Sequence, residues 1–101
     1  MTHLTIPIHA LTGEYASDSS EAWTIYQQIH PELLAGRTVT LDFNGVAVFS
    51  AVFFNVAIAQ LLKDIAPDTL RDCLKIEGLP GHGLELLRKC VRNARGFYLV
   101  P

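Results

Sequence analysis

The sequence is poor in the features that mark most small functional classes. Cysteine occurs only at positions 73 and 90, too sparsely for the disulfide framework of a small secreted domain. Cys73 falls in a predicted strand and Cys90 in a predicted helix, so both are expected as free thiols. The histidines at 3, 9, 30 and 82 share no metal-ligand spacing with each other or with the cysteines, and no metal or cofactor is expected. Neither cysteine has a neighbouring base that would make it a nucleophile. Charge is scarce and balanced: 18% of residues are charged, the formal net charge is −2 and the pI is near 6.0. That balance offers no reason to expect nucleic acid or an anionic membrane as the main partner. Met1-Thr2-His3-Leu4 lacks the basic start and apolar stretch of a secretory signal, and a cytoplasmic location is the expectation. The apolar run from 46 to 62 is shorter than the ~20 residues of a membrane span, and Ser50, Asn55 and Gln60 interrupt it.

What is present is apolar residue in quantity. Half of the 101 residues are hydrophobic, enough for one compact core and too short a chain for two, so residues 1–101 are expected to form one domain. Leu4, Ile6 and Ile8 alternate, which predicts a first strand over 3–11; Pro7 places it at an edge or ends it early. Residues 12–20 are polar and turn-rich. Asp18 with Glu21, or Ser19 or Ser20, can cap the next helix, which buries Ala22, Ile25, Tyr26 and Ile29. Pro31 ends, kinks or restarts it, and Gly36 closes it. Arg37 to Phe43 is a strand with Val39, Leu41 and Phe43 on one face, and Asn44-Gly45 is a tight turn. A short extended piece, 46–49, leads into a helix over 50–65, where Phe54, Ala57, Ile58, Leu61 and Ile65 form one stripe. A short turn or helix covers 67–70, a strand 73–77, a loop 78–83, a helix 84–95 and a last strand 97–100. Strands alternating with helices imply an α/β fold with a mixed or mainly parallel sheet of about four strands packed by helices.

The segment 38–62, TVTLDFNGVAVFSAVFFNVAIAQLL, resembles the STAS-like family of bacterial domains, which are similar to anti-sigma-factor antagonists. The features that carry the likeness are Leu41-Asp42-Phe43 at the strand end, then Gly45-Val46, a serine, and a helix opening with Phe53-Phe54-Asn55. The resemblance implies a non-enzymatic regulatory module that binds a protein partner, of which a histidine-kinase-like ATPase is the type. It also implies a serine phosphorylated by that partner, but Ala51 stands at that position here, and Ser50, one residue earlier, is the alternative phosphorylation site. The plainer role of Ser50 is to cap the following helix. Asp42 at a strand end likewise reads as the organiser of the following turn.

Val52, Phe53, Val56 and Ala59 lie off the core stripe, so the 50–65 helix is apolar nearly all round and must be covered on both sides, by the domain or by a partner. The partner-binding candidates are therefore Asp42, Asn44, Ser50, Val52, Phe53, Asn55 and Val56, along the 44–50 loop and the edge of that helix. The alternative is a small enzyme or small-ligand binder using Asp42, Ser50 and Asn55; a third reading is a homo-oligomer joined through the apolar helix face. Gly81-His82-Gly83 lacks both the dinucleotide pattern and the Lys-Ser/Thr of a P-loop and reads as a turn. Arg88, Arg92 and Arg95, with Lys89 alongside, form a basic stripe that reads first as a solvated helix face.

Overall fold

The computed structural model describes residues 3–98. Strands β1 (His3–Pro7), β3 (Thr38–Asp42) and β5 (Leu74–Glu77) form a parallel sheet in the order β1-β3-β5, and β2 (Tyr15–Ala16) pairs with β4 (Val48–Phe49) in a second, parallel ladder. Parallel neighbours cannot be joined by a hairpin, so each connection must cross over the sheet. The first crossing carries α1 (Ile8–Thr12), β2 and α2 (Ser19–Leu34). The second carries β4, α3 (Ala51–Ala57), a 3-10 segment (Ala59–Lys63) and α4 (Pro67–Cys73), and α5 (Gly81–Tyr98) follows β5.

Period-two alternation sorts the three-stranded sheet into two unlike faces. Leu4, Val39 and Leu74 are in register across it, as are Ile6, Leu41 and Ile76; Val39 and Leu41 are fully buried and the row forms the floor of the core. The opposite row is polar. His3 bridges two threonines there, its Nδ1 lying 2.6 Å from the Thr38 hydroxyl and its Nε2 2.9 Å from that of Thr40. The second of these bonds satisfies Thr40, the one buried polar residue among those described. The helices cover the apolar face, and a single cluster of buried side chains runs through all the layers.

Several expected boundaries move, each for a local reason. The first strand stops at Pro7, which serves as the N-cap of α1; proline has no N–H with which to continue a ladder. Asp18 caps α2, accepting from the Ser20 N–H at 2.7 Å, and the Ser20 hydroxyl and N–H hold its carboxyl below the usual range. Pro31 lies inside α2 and neither ends nor restarts it, because it falls in the last turn, where one backbone bond is all it removes. The expected continuous helix over 50–65 is instead two pieces. The break is at Ile58 (φ −125°), and the Gln60 side-chain amide donates to the Val56 carbonyl at 2.6 Å, the acceptor that an unbroken helix would offer to the Gln60 backbone N–H. Cys73 ends α4 and precedes β5. Gly81, His82 and Gly83 form the first turn of α5, not a loop, and Phe97 and Tyr98 end the same helix. The remainder of the expected last strand, Leu99 and Val100, lies outside the described residues.

Candidate functional site

The candidate edge is built where β3 ends. Asp42 Oδ1 accepts from the Asn44 backbone N–H at 2.9 Å and from the Asn44 side-chain amide at 2.6 Å. This is the side-chain-stabilised turn that Asp favours, and it occupies the carboxylate structurally. The Val46 N–H donates to the Phe43 carbonyl at 3.0 Å, and Gly45 takes φ 90° in the turn so formed. Two neighbours invisible in the local sequence hold this loop. A Cβ on Gly78 would come within 2.7 Å of the Asn44 backbone nitrogen, and one on Gly45 within 3.0 Å of the His9 ring. The loop after β3 therefore lies directly on the loop after β5.

The far end of the loop is held by the second ladder and by aromatic packing. The Ala47 and Val48 N–H groups donate to Glu14, and the Ser50 N–H to Ala16. Phe43 before the loop and Phe49 after it both meet Phe54 of α3, with ring centroids 6.0 and 5.8 Å away and the Phe49 and Phe54 rings stacked. His82 lies against Phe49, and Gly83 is so close that a Cβ would approach the Phe49 ring to 3.0 Å. Ser50 is the N-cap of α3, its hydroxyl accepting from the Phe53 N–H at 3.1 Å. Asp42 and Ser50 thus both fill the structural roles that their positions suggest.

The expected binding residues divide once placed. Asn44 and Asn55 are exposed, Asp42, Ser50 and Val56 half-buried, and Val52 is 53% exposed. Phe53 is a correction: it is 0% exposed, with its ring edge against Phe54. Ala59 is buried too. The apolar second face of α3 is largely covered within the domain, because α2 packs along one flank of α3 and α5 along the other. Nor do Asp42, Ser50 and Asn55 converge: Asn55 lies with Gln60, Asn93 and Phe97 in a shallow depression between α3 and α5, which neither Asp42 nor Ser50 lines. Among the described residues no group of three or more His, Cys, Asp or Glu side chains is placed to hold a metal ion.

Two apolar residues at this edge escaped the sequence reading. Tyr15 and Val48 are register partners across the β2–β4 ladder and are 62% and 44% exposed, while their neighbours Ala16 and Phe49 turn inward. Val52 follows in the first turn of α3. The available signal was the exposed alternation in Glu14-Tyr15-Ala16, but a two-residue strand within a polar segment is recognisable only by its partner.

Among the described residues no helix is long and apolar enough to cross a membrane. No curated protein and no solved structure matches the chain. The model of a family described as a STAS-like domain of unknown function (DUF4325) matches residues 21–83, from the first turn of α2 into the first turn of α5. This match spans the strand-end turn, the capped α3 and the β5 edge, and by it the chain belongs to that STAS-like family.

Proposed function

We propose that this domain is a non-enzymatic interaction module that docks a protein partner on the edge formed by the 44–50 loop, the β2–β4 ladder and the first turn of α3. The observation that carries the reading is the contrast between exposed apolar side chains and occupied polar ones at one place. Tyr15, Val48 and Val52 face solvent, on backbone pinned from below by Phe43, Phe49 and Phe54. The two polar groups best placed for chemistry, Asp42 and Ser50, are engaged by Asn44 and by the α3 N-terminus. A rigid apolar patch with a polar rim suits recognition of another protein surface.

Membership of the STAS-like family supports a regulatory partner, and the likeness to anti-sigma-factor antagonists suggests a histidine-kinase-like ATPase. With Ala51 at the position that the likeness gives to the phosphorylated serine, the interaction is proposed to lack that switch. The test is calorimetric titration of the full chain with such an ATPase, using Val48→Asp and Val52→Asp variants whose folding is checked by circular dichroism. Binding by the parent chain with at least a roughly tenfold loss in either folded variant is expected, equivalent to ~1.4 kcal/mol. Undiminished binding by both variants would remove this edge from the interface. Incubation with the ATPase and ATP should add no phosphate to Ser50, and a phosphorylated Ser50 would return the switch to the domain.

A further inference from the structure

A second surface lies on the other flank of the molecule, away from the α3 edge. β5 is an edge strand, paired with β3 on one side only. Its side chains alternate, Leu74 and Ile76 half-buried and Lys75 and Glu77 exposed. The Phe43 N–H donates to the Glu77 carbonyl at 2.8 Å, so Glu77 directs its backbone toward the β3 side. Peptide groups alternate in direction along a strand, which turns the N–H and C=O of Ile76 outward to the free edge. On the core side of this edge α4 and α5 stand apart and leave an apolar groove of about 270 Å³, floored by Leu74, Ile76, Leu87 and Val91.

The rim of the groove carries one carboxylate, Asp68, and two arginines. Arg71 and Arg95 line it, and Arg88 and Arg92 line the adjoining depression on α5 together with Arg95. Arg71 is held by Asp68 and Asp72 at 3.2 and 3.8 Å. Arg88, Arg92 and Arg95 have no carboxylate within 4 Å among the described residues. α5 carries these three and Lys89 against Glu85 alone, in a chain whose net charge is −2. Three arginines without a carboxylate partner among the described residues thus stand on α5 beside the open strand edge, in a chain of net negative charge.

We infer that this groove binds an extended acidic segment of a protein partner, which adds as a strand beside β5. Main-chain bonds to the outward Ile76 groups would provide affinity, and on the strand face turned toward α5 apolar side chains would enter the groove while carboxylates beyond it would meet the arginines. This occupant answers the three features together: unpaired backbone, apolar floor and unneutralised arginines.

The test uses the full chain and a fluorescein-labelled peptide of about nine residues in which valine and then glutamate occupy successive positions of one strand face, with threonine at the positions between. Fluorescence anisotropy should show saturable binding that weakens as salt is raised, with slowed amide exchange at Ile76. The same peptide with lysine in place of glutamate, and the same peptide interrupted by prolines, should both fail to bind. Arg92→Glu with Arg95→Glu, at exposed helix positions, should leave the circular dichroism spectrum intact and reduce binding roughly tenfold or more. The proposal is overturned if the acidic peptide does not bind, if the proline-interrupted peptide binds equally, or if the double variant binds like the parent. It is also overturned if decanoate displaces the peptide while leaving Ile76 exchange unchanged, which would make the groove an acyl-chain site, or if the chain masks its own edge in a dimer that excludes the peptide.

Discussion

Ser50 does for α3 what its place in the chain demands: a short hydroxyl side chain with extended backbone (φ −127°, ψ 153°) accepts the Phe53 N–H. Ser50→Ala leaves that donor without its partner and should cost about 1 kcal/mol, read as a lower urea midpoint with unchanged m-value. The same experiment separates capping from regulation, since a capping role predicts lost stability whether or not a partner is present. The two thiols separate in a similar way. Burial pushes the Cys90 thiol up, and the neighbouring Lys89 offsets this only in part; its sulfur sits 3.8 Å from the Ala51 carbonyl. Cys73 is half-buried. An aromatic disulfide reagent at pH 8 should therefore label Cys73 well before Cys90, and Cys90 should react only as the domain opens. Equal labelling rates in the folded protein would contradict this placement.

At the scale of elements, the candidate edge depends on two loops that are distant in sequence. Gly78 has φ 74°, where a side chain is strained, and a Cβ there would also strike the Asn44 backbone. Gly78→Ala should cost at least about 1–2 kcal/mol from the backbone conformation alone, and the collision should shift the Asn44 amide resonance although Asn44 is unchanged. A stability loss with no change at Asn44 would show that the two loops are not coupled. The α2 helix has its own tie to the 3-10 segment: Trp23, Tyr26 and His30 stack in file at 5.2 and 5.0 Å, and His30 meets Asp64 at 2.8 Å. Burial, and after it the nearby Asp64 carboxylate, push the Tyr26 phenol up.

For the whole molecule, the aromatic group at 43, 49 and 54 joins the sheet, the candidate loop and the helical layer. Phe54→Ala should cost roughly 3–5 kcal/mol, a large share of the ~5–15 kcal/mol that holds a domain of this kind together. Because one cluster spans all layers, that loss should appear as a lowered midpoint of a single transition, with fluorescence and circular dichroism coinciding. Separate transitions for the α3 edge and the sheet would show that the loop is not part of the cooperative core. Phe53 belongs to the same interior, so a charge placed there tests folding, whereas Val52 and Val48 test recognition.

Much of this was legible in the chain itself. Alternation in Arg37–Phe43 and the apolar stripe of 54–65 specify a buried strand and a buried helical segment, because side-chain direction follows backbone period. Asp42, Asn44-Gly45 and Ser50 specify a turn and a cap, because those bonds close within three residues. The family likeness at 38–62 rests on the same local pattern. Interactions across distance were not legible. Whether Phe53 faces a partner or the core depends on α2 and α5 packing along both flanks of α3. The two-residue β2 exists only through its pairing with β4. The helix break at Ile58 depends on a side chain that competes for a backbone carbonyl. Gly78 matters because another loop lies on it. Local bonds are written in neighbouring residues, but burial and exposure are properties of surfaces brought together by the fold; the chain therefore determined β3, its closing turn and the helix caps, and only the tertiary structure decided β2, the break at Ile58 and which apolar faces were left open.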